Sequence, residues 1–262
     1  MYRMFYYPDR EEFDSPDNHG LDYEQIYFGS ADGTRLSGWF IAATDVASPK
    51  EAKGTVVHLH GNAQNMTSHW RFAAFVLARG YNLFTFDYRG YGDSEPVQPD
   101  PKGVFEDSIA AFDYLRSRED IDAGNLFVFG QSLGGMLAIA ASAASPAGIR
   151  AVLAEAPIHS YSMMVQEKMP DARLRFDDTY TAGAFVAKLA PIPLLLIHGT
   201  GDTIVRYTHS ARLLAEAGEP KRLAAIKGGD HIDAMDERVR GTQYQDMMLE
   251  FFDTAPPAPK LA

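Results

Sequence analysis

Apolar and polar positions along the chain follow two patterns. "YEQIYFGSADGTRLSGWFIAA" carries two alternating runs around Ala31-Asp32-Gly33, and Asp-Gly between such runs predicts a β-hairpin. Beyond it, "GTVVHLHGN" (residues 54–62) is a short apolar run that ends in a loop. "WRFAAFVLARG" (70–80) has helical spacing and a glycine stop, and "YNLFTFDYRGYG" is again a buried strand with a loop. The alternation continues through a helix over 105–118, the strand "NLFVFG", a helix over 133–144 and the strand "RAVLAEAP". It then runs through the strand "PLLLIHG", a helix over 208–217, the strand "KRLAAIKGG" and a closing helix from about 237 to 252.

Near-continuous apolar strands separated by amphipathic helices predict an α/β fold, a parallel sheet covered on both faces. Ligands of such sheets bind beyond the carboxyl ends of the strands, so the loops after the strands are where chemistry is expected. The segment 158–190 breaks the alternation and is read as a small helical cap over that edge. Residues 1–254 are expected to form one domain, with 255–262 a Pro-rich flexible tail whose Lys260-Leu261-Ala262 resembles vector-derived sequence.

Composition narrows the function classes. With 262 residues, 46% of them hydrophobic, the chain can bury one substantial core. A net charge of -11 argues against a nucleic-acid partner, because phosphate binding needs a basic face. The absence of cysteine removes disulfides, thiolate metal sites and a cysteine nucleophile. "MYRMFYYPDREEF" lacks the plan of a signal peptide and no apolar stretch approaches membrane-spanning length, so a cytoplasmic protein without a membrane span is expected. Its oligomeric state is left open.

The chemistry is concentrated at "FVFGQSLGGMLAIAAS", where an apolar strand ends, one serine follows, and an alanine-rich helix begins. Gly130-Gln131-Ser132-Leu133-Gly134 fits G-x-S-x-G in the strand-to-helix context that this motif requires. A serine nucleophile needs a base, and the base needs an orienting carboxylate. Of eight histidines, His231 in "GGDHIDAM" lies in the loop after the last strand, whereas His58, His60 and His198 end strands as core or supporting residues. Asp202, in the turn after "LLLIHG", is the expected acid, with Glu155 as its competitor. The order Ser, Asp, His is the one nucleophile-elbow hydrolases use. Backbone N–H groups of Leu133 and Asn62, with Ala63 as the fallback for the second, are the expected oxyanion donors. Trp70, Tyr161, Met163, Met164 and Phe185 are candidates for lining an acyl pocket. No metal site or cofactor signature is found.

"HLHGNAQN", "FDYRGYGDSE", "GQSLGGM", "HGTGDTIV" and "GGDHIDAM", in this order, resemble the serine hydrolases of the α/β-hydrolase superfamily, especially its serine aminopeptidase-like and acyl-protein depalmitoylase-like branch. The resemblance implies an eight-stranded, mostly parallel sheet whose second strand is antiparallel, with helices on both faces. It also implies Ser132, Asp202 and His231 as catalytic residues and Asn62 and Leu133 as oxyanion donors, and the expected activity is hydrolysis of carboxylic esters or thioesters of small to medium acyl groups. Alternatives are an aminopeptidase-type peptidase and a binding protein that keeps the fold without turnover. "EAPIHSYSMM" departs from the Phe-Thr-Ser-type sequence common in that branch, so acyl length does not carry over.

Overall fold

The computed structural model describes residues 2–171 and 176–259. Residues 172–175 of the expected cap and Lys260-Leu261-Ala262 of the expected tail lie outside the described residues. The strands are β1 (Tyr7–Pro8), β2 (Glu24–Gly29), β3 (Arg35–Ile41), β4 (Gly54–Leu59), β5 (Ala63–Gln64), β6 (Tyr81–Asp87), β7 (Leu126–Gln131), β8 (Ile149–Glu155), β9 (Leu194–Gly199) and β10 (Lys221–Ile226). The α-helices are α1 (Met66–His69), α2 (Pro101–Ser117), α3 (Leu133–Ala144), α4 (Tyr161–Lys168), α5 (Ala182–Phe185), α6 (Thr208–Glu216), α7 (Glu237–Arg240) and α8 (Gln243–Asp253).

Eight strands form one sheet in the order β10-β9-β8-β7-β4-β6-β3-β2, and β3 alone runs against its neighbours. The hairpin expected around Asp32-Gly33 supplies β2 and β3, with Glu24 opposite Phe40 and Gly29 opposite Arg35. Every residue of β4, β6, β7 and β9 is buried, while the edge strands β2 and β10 are half exposed. Continuous apolar runs therefore mark the strands covered on both faces. Side chains alternate between faces: Val57 and Val128 join the core under α2 and α3, whereas Val56 and Phe127 join the one under α8.

Three expected elements differ from what forms. The helix expected over 70–80 is two 3₁₀ turns, Trp70–Phe72 and Ala74–Arg79, because Trp70, Ala73 and Val76 are all buried and a spacing of three matches the tighter turn. The helix expected from 105 starts four residues earlier, where Asp100 accepts the Lys102 and Gly103 N–H groups at 3.1 Å and Pro101 occupies the first turn. The closing helix breaks at Gly241, whose φ of 60° separates α7 from α8. The parallel pair β1–β5 was not expected at all; two residues each are too short for a periodic signal. Between β8 and β9, the segment 158–190 carries α4, α5 and a 3₁₀ turn over Val186–Lys188. Among the described residues no helix is long and apolar enough to cross a membrane.

The loop after β6 is braced by buried charge. Arg89 pairs with Asp107 at 2.8 Å and Asp32 at 2.7 Å, joining α2 to the hairpin turn. Burial opposes its charge, but the two carboxylates more than offset this and raise its pKa further. Asp87 accepts the Met66 N–H at 2.7 Å and so holds the start of α1.

Helix α3 lies so close to the sheet that a Cβ at Gly134 would overlap the Leu59 carbonyl oxygen, and one at Gly130 would overlap the Gly134 carbonyl oxygen. Gly134→Ala is therefore expected to destabilise the protein by at least about 2 kcal/mol, since backbone must move to admit one methyl. Urea unfolding beside the wild type checks this, and an unchanged midpoint would refute the close approach.

Candidate active site

Strands β7, β8, β9 and β10 run parallel, so the loops that follow them meet along one edge of the sheet. Ser132 follows β7 directly. Its backbone has φ 56° and ψ -114°, a conformation that L-residues adopt only when the surroundings enforce it, at about 1–3 kcal/mol. The enforcement is visible: the Ser132 N–H donates to the Glu155 carbonyl oxygen at 2.9 Å, and its own carbonyl accepts from Met136 at 3.1 Å as α3 begins. The first N–H groups of α3, Leu133 among them, have no acceptor within the helix and carry the positive end of its dipole.

Asp202 and His231 are brought together. His231 Nδ1 donates to Asp202 Oδ2 at 2.7 Å, while Asp202 Oδ1 accepts the Ile204 and Val205 N–H groups at 2.8 and 2.9 Å. One oxygen thus closes its own turn and the other orients the imidazole. His198, at the end of β9, approaches Oδ2 from another side at 3.2 Å and donates to the Val205 carbonyl at 2.8 Å. Burial alone would raise the Asp202 pKa, but the contacts with His198 and His231 and the N–H of Val205 hold it well below the usual carboxylate range. The supporting role of His198 has a sequence signal, four residues before Asp202 at a strand end. Ser132 and His231 share the same sheet edge, and no hydrogen bond joins the serine hydroxyl to the imidazole among the described residues.

Glu155, the competing acid, faces elsewhere. Its Oε2 accepts from Gln131 Nε2 at 2.8 Å and its Oε1 from the Ala234 N–H at 2.8 Å. Full burial pushes its pKa up to about 7, although both hydrogen bonds act to lower it.

Asn62 follows β4 and its carbonyl accepts from the Tyr7 N–H and from Tyr91 Oη, each at 2.9 Å. Because carbonyl and N–H of a trans peptide point in opposite directions, this aims the Ala63 N–H away from both. His60 Nδ1 donates to the Gly61 carbonyl at 2.7 Å, so both peptides of the loop are held. The role of the amino-terminal residues here was invisible in the sequence, because β1 meets β5 across more than fifty positions.

The five candidate lining residues separate. Trp70 is 1% exposed and lies edge-on to Trp39 at 6.5 Å, in the core under α8. Tyr161 is fully buried, its hydroxyl 2.6 Å from that of Tyr6. Both are packed among core residues. Met163, Met164 and Phe185 stay partly exposed, and Phe185 packs at 5.4 Å against Phe105. Among the described residues no cluster of three His, Asp or Glu is arranged to hold a metal ion.

Residues 67–256, including Ser132, Asp202 and His231, match the prolyl oligopeptidase family. The chain belongs to that family, and its fold is the α/β-hydrolase fold. It is 40% identical to the uncharacterised protein YfhR of Salmonella typhimurium over 96% of this chain and 87% of that protein. It is 30% identical to the α/β hydrolase domain-containing protein WAV2 of Arabidopsis thaliana, over 78% of this chain and 69% of that protein. Among solved structures, the esterase Pf2001 of Pyrococcus furiosus superposes with a TM-score of 0.75 at 20% identity, covering 95% of this chain and 99% of that one. Family membership makes the chain an α/β-hydrolase enzyme.

Two site carboxylates make stability depend on pH in opposite senses. Asp202, whose pKa is lowered by folding, contributes stability that is present above the unfolded carboxylate pKa near 4 and is lost as pH falls through the lower folded value. Glu155 binds its proton more tightly when folded, so its contribution is complete below the unfolded value and is lost as pH rises through about 7. Denaturant unfolding at several pH values is expected to show Glu155→Gln flattening the decline between about pH 5 and 8, and Asp202→Asn flattening the loss below about pH 4.

Proposed function

We propose that this family member is a serine hydrolase that cleaves carboxylic esters or thioesters of small to medium acyl groups through an acyl-enzyme. The observation that carries the reading is the 2.7 Å contact between Asp202 Oδ2 and His231 Nδ1, on the sheet edge where Ser132 sits on a strained turn. With Nδ1–H donated to the carboxylate, the Nε2 lone pair is left free to act as base.

Ser132 Oγ attacks the acyl carbonyl carbon as His231 Nε2 takes the hydroxyl proton. The carbonyl π pair moves onto oxygen, and the N–H groups of Leu133 and Asn62 stabilise that oxyanion. The pair returns, the carbon–leaving-group bond breaks, and the imidazolium gives its proton to the departing alcohol or thiol. Water then repeats the sequence on the acyl-serine, losing its proton to His231, and the acid leaves as Ser132 regains its hydrogen. Asp202 remains ionised throughout, consistent with its lowered pKa, and holds the imidazole in one tautomer. Met163, Met164 and Phe185, between β8 and β9, are proposed to contact the acyl chain. No step needs a cofactor.

Family membership favours a second reading, a peptidase acting on amides by the same chemistry, and the acylaminoacyl peptidase of Pyrococcus horikoshii superposes with a TM-score of 0.69 over 92% of this chain and 43% of that one. Comparison of p-nitrophenyl esters of increasing chain length with aminoacyl anilides separates the two, the expected outcome being ester preference. Ser132→Ala is expected to lower kcat by at least about ten-thousandfold and to abolish labelling by a fluorophosphonate probe. Retained turnover in that variant would end the mechanism. Because the base must be neutral, kcat/KM is expected to rise between about pH 6 and 8, and a flat profile would exclude His231 from that role.

A further inference from the structure

One ionisable side chain at this edge has no part in the acyl transfer. Glu155 is 2% exposed and ends β8, the strand beside that of the nucleophile. It is the last side chain in a row of polar groups that crosses four neighbouring strands. Thr85 Oγ1 of β6 lies 3.4 Å from His58 Nδ1 of β4, and His58 Nε2 lies 3.3 Å from Gln131 Oε1 of β7. Gln131 Nε2 donates to Glu155 Oε2, and Glu155 Oε1 accepts the Ala234 N–H, each at 2.8 Å. The row is directional. Burial drives the His58 pKa down to about 3, so its ring is neutral, with Nε2 donating to Gln131 and Nδ1 accepting from Thr85.

The two ends of Glu155 touch informative places. Gln131 immediately precedes Ser132, and Ala234 lies three residues beyond His231 in a loop that holds Ile232 at a φ of 47°. Asp202 orients the histidine ring, but no part of that contact relates the loop of residue 231 to the turn of residue 132. Glu155 supplies the relation: its Oε1 holds the Ala234 N–H, its Oε2 holds Gln131, and its backbone carbonyl takes the Ser132 N–H at 2.9 Å.

We propose that Glu155 is a positioning residue for this hydrolase: its carboxyl group spans from the residue before the nucleophile to the histidine loop and sets the distance between Ser132 and His231. The proposal rests on the reading of Ser132 and His231 as nucleophile and base. The charged and titratable groups around Glu155 are Asp202 from the turn after β9, Asp233 from the histidine loop, and His58 through Gln131. Both aspartates disfavour its ionisation.

Two substitutions test this in the full-length protein. Glu155→Gln can restore every contact by reversing the row: its Oε1 accepts from Ala234, its Nε2 donates to a turned Gln131 amide, and His58 takes its other tautomer. It is expected to keep kcat within about threefold of wild type, whereas Glu155→Ala, which leaves the loop unheld, is expected to lower kcat about a hundredfold with KM nearly unchanged and to slow fluorophosphonate labelling of Ser132 in proportion. The loss confined to kcat in Glu155→Ala, together with its rescue by Glu155→Gln, is the result that a merely structural role would not give. Wild-type turnover and labelling in Glu155→Ala would overturn the proposal while leaving the serine mechanism intact. A wild-type protein that neither labels nor turns over ester would overturn both. Should Glu155→Ala fail to fold, a third variant decides: Glu155→Asp, one methylene shorter, cannot reach both Gln131 and Ala234, and wild-type kcat in it overturns the positioning role.

Discussion

Everything at the site depends on how closely α3 approaches the strands beneath it. Gly134 lies against the Leu59 carbonyl and Gly130 lies under the carbonyl of Gly134, so the chain has room to turn only through one residue, and that residue is forced to a φ of 56°. The cost of about 1–3 kcal/mol is met by the surrounding core, because α3 is apolar but for Ser142 and buried along almost its whole length. Loosening the contact would relax the turn and withdraw both the serine hydroxyl and the helix N–H groups behind it.

Around this turn the protein uses buried polar groups as spacers between loops that the sheet alone does not align. Arg89 ties Asp107 of α2 to Asp32 of the hairpin, Asp202 gives one oxygen to its own turn and one to His231, and Glu155 bridges from Gln131 to Ala234. Each satisfies its donors where water is excluded, which makes the geometry costly to distort. Folding has shifted the acidities of the two site carboxylates in opposite directions. Asp202, with imidazoles beside it, stays ionised, while Glu155, fully buried and with aspartates beside it, is kept partly protonated near neutral pH. Two carboxylates that reach one histidine loop are thereby separated into one that orients the ring and one that bonds the loop backbone.

What could be read from residue order follows from how local each signal is. The hairpin at Asp32-Gly33, the buried central strands and the serine turn each lie within a window of a few residues, and all formed as expected. The helix over 70–80 did not, because a spacing of three or four satisfies the same apolar pattern and only the burial of Trp70, Ala73 and Val76 together selects the tighter form. Trp70 and Tyr161 looked equally suited to a pocket and to a core. Their place was settled by partners distant in sequence, Trp39 and Tyr6.

Asp202 and His231 were identifiable one at a time, as a carboxylate and an imidazole in loops after successive strands, since parallel strands bring such loops to a common edge whatever their side chains. That the carboxylate of Asp202, and not that of Glu155, meets the imidazole was decided by the fold, where Glu155 is already saturated by Gln131 and Ala234. Strand and turn propensities act over neighbours in sequence and so determined the sheet, the glycine-flanked serine and the order of the loops. Which buried donor finds which acceptor depends on distances of a few tenths of an ångström across separate strands, and only tertiary structure sets those.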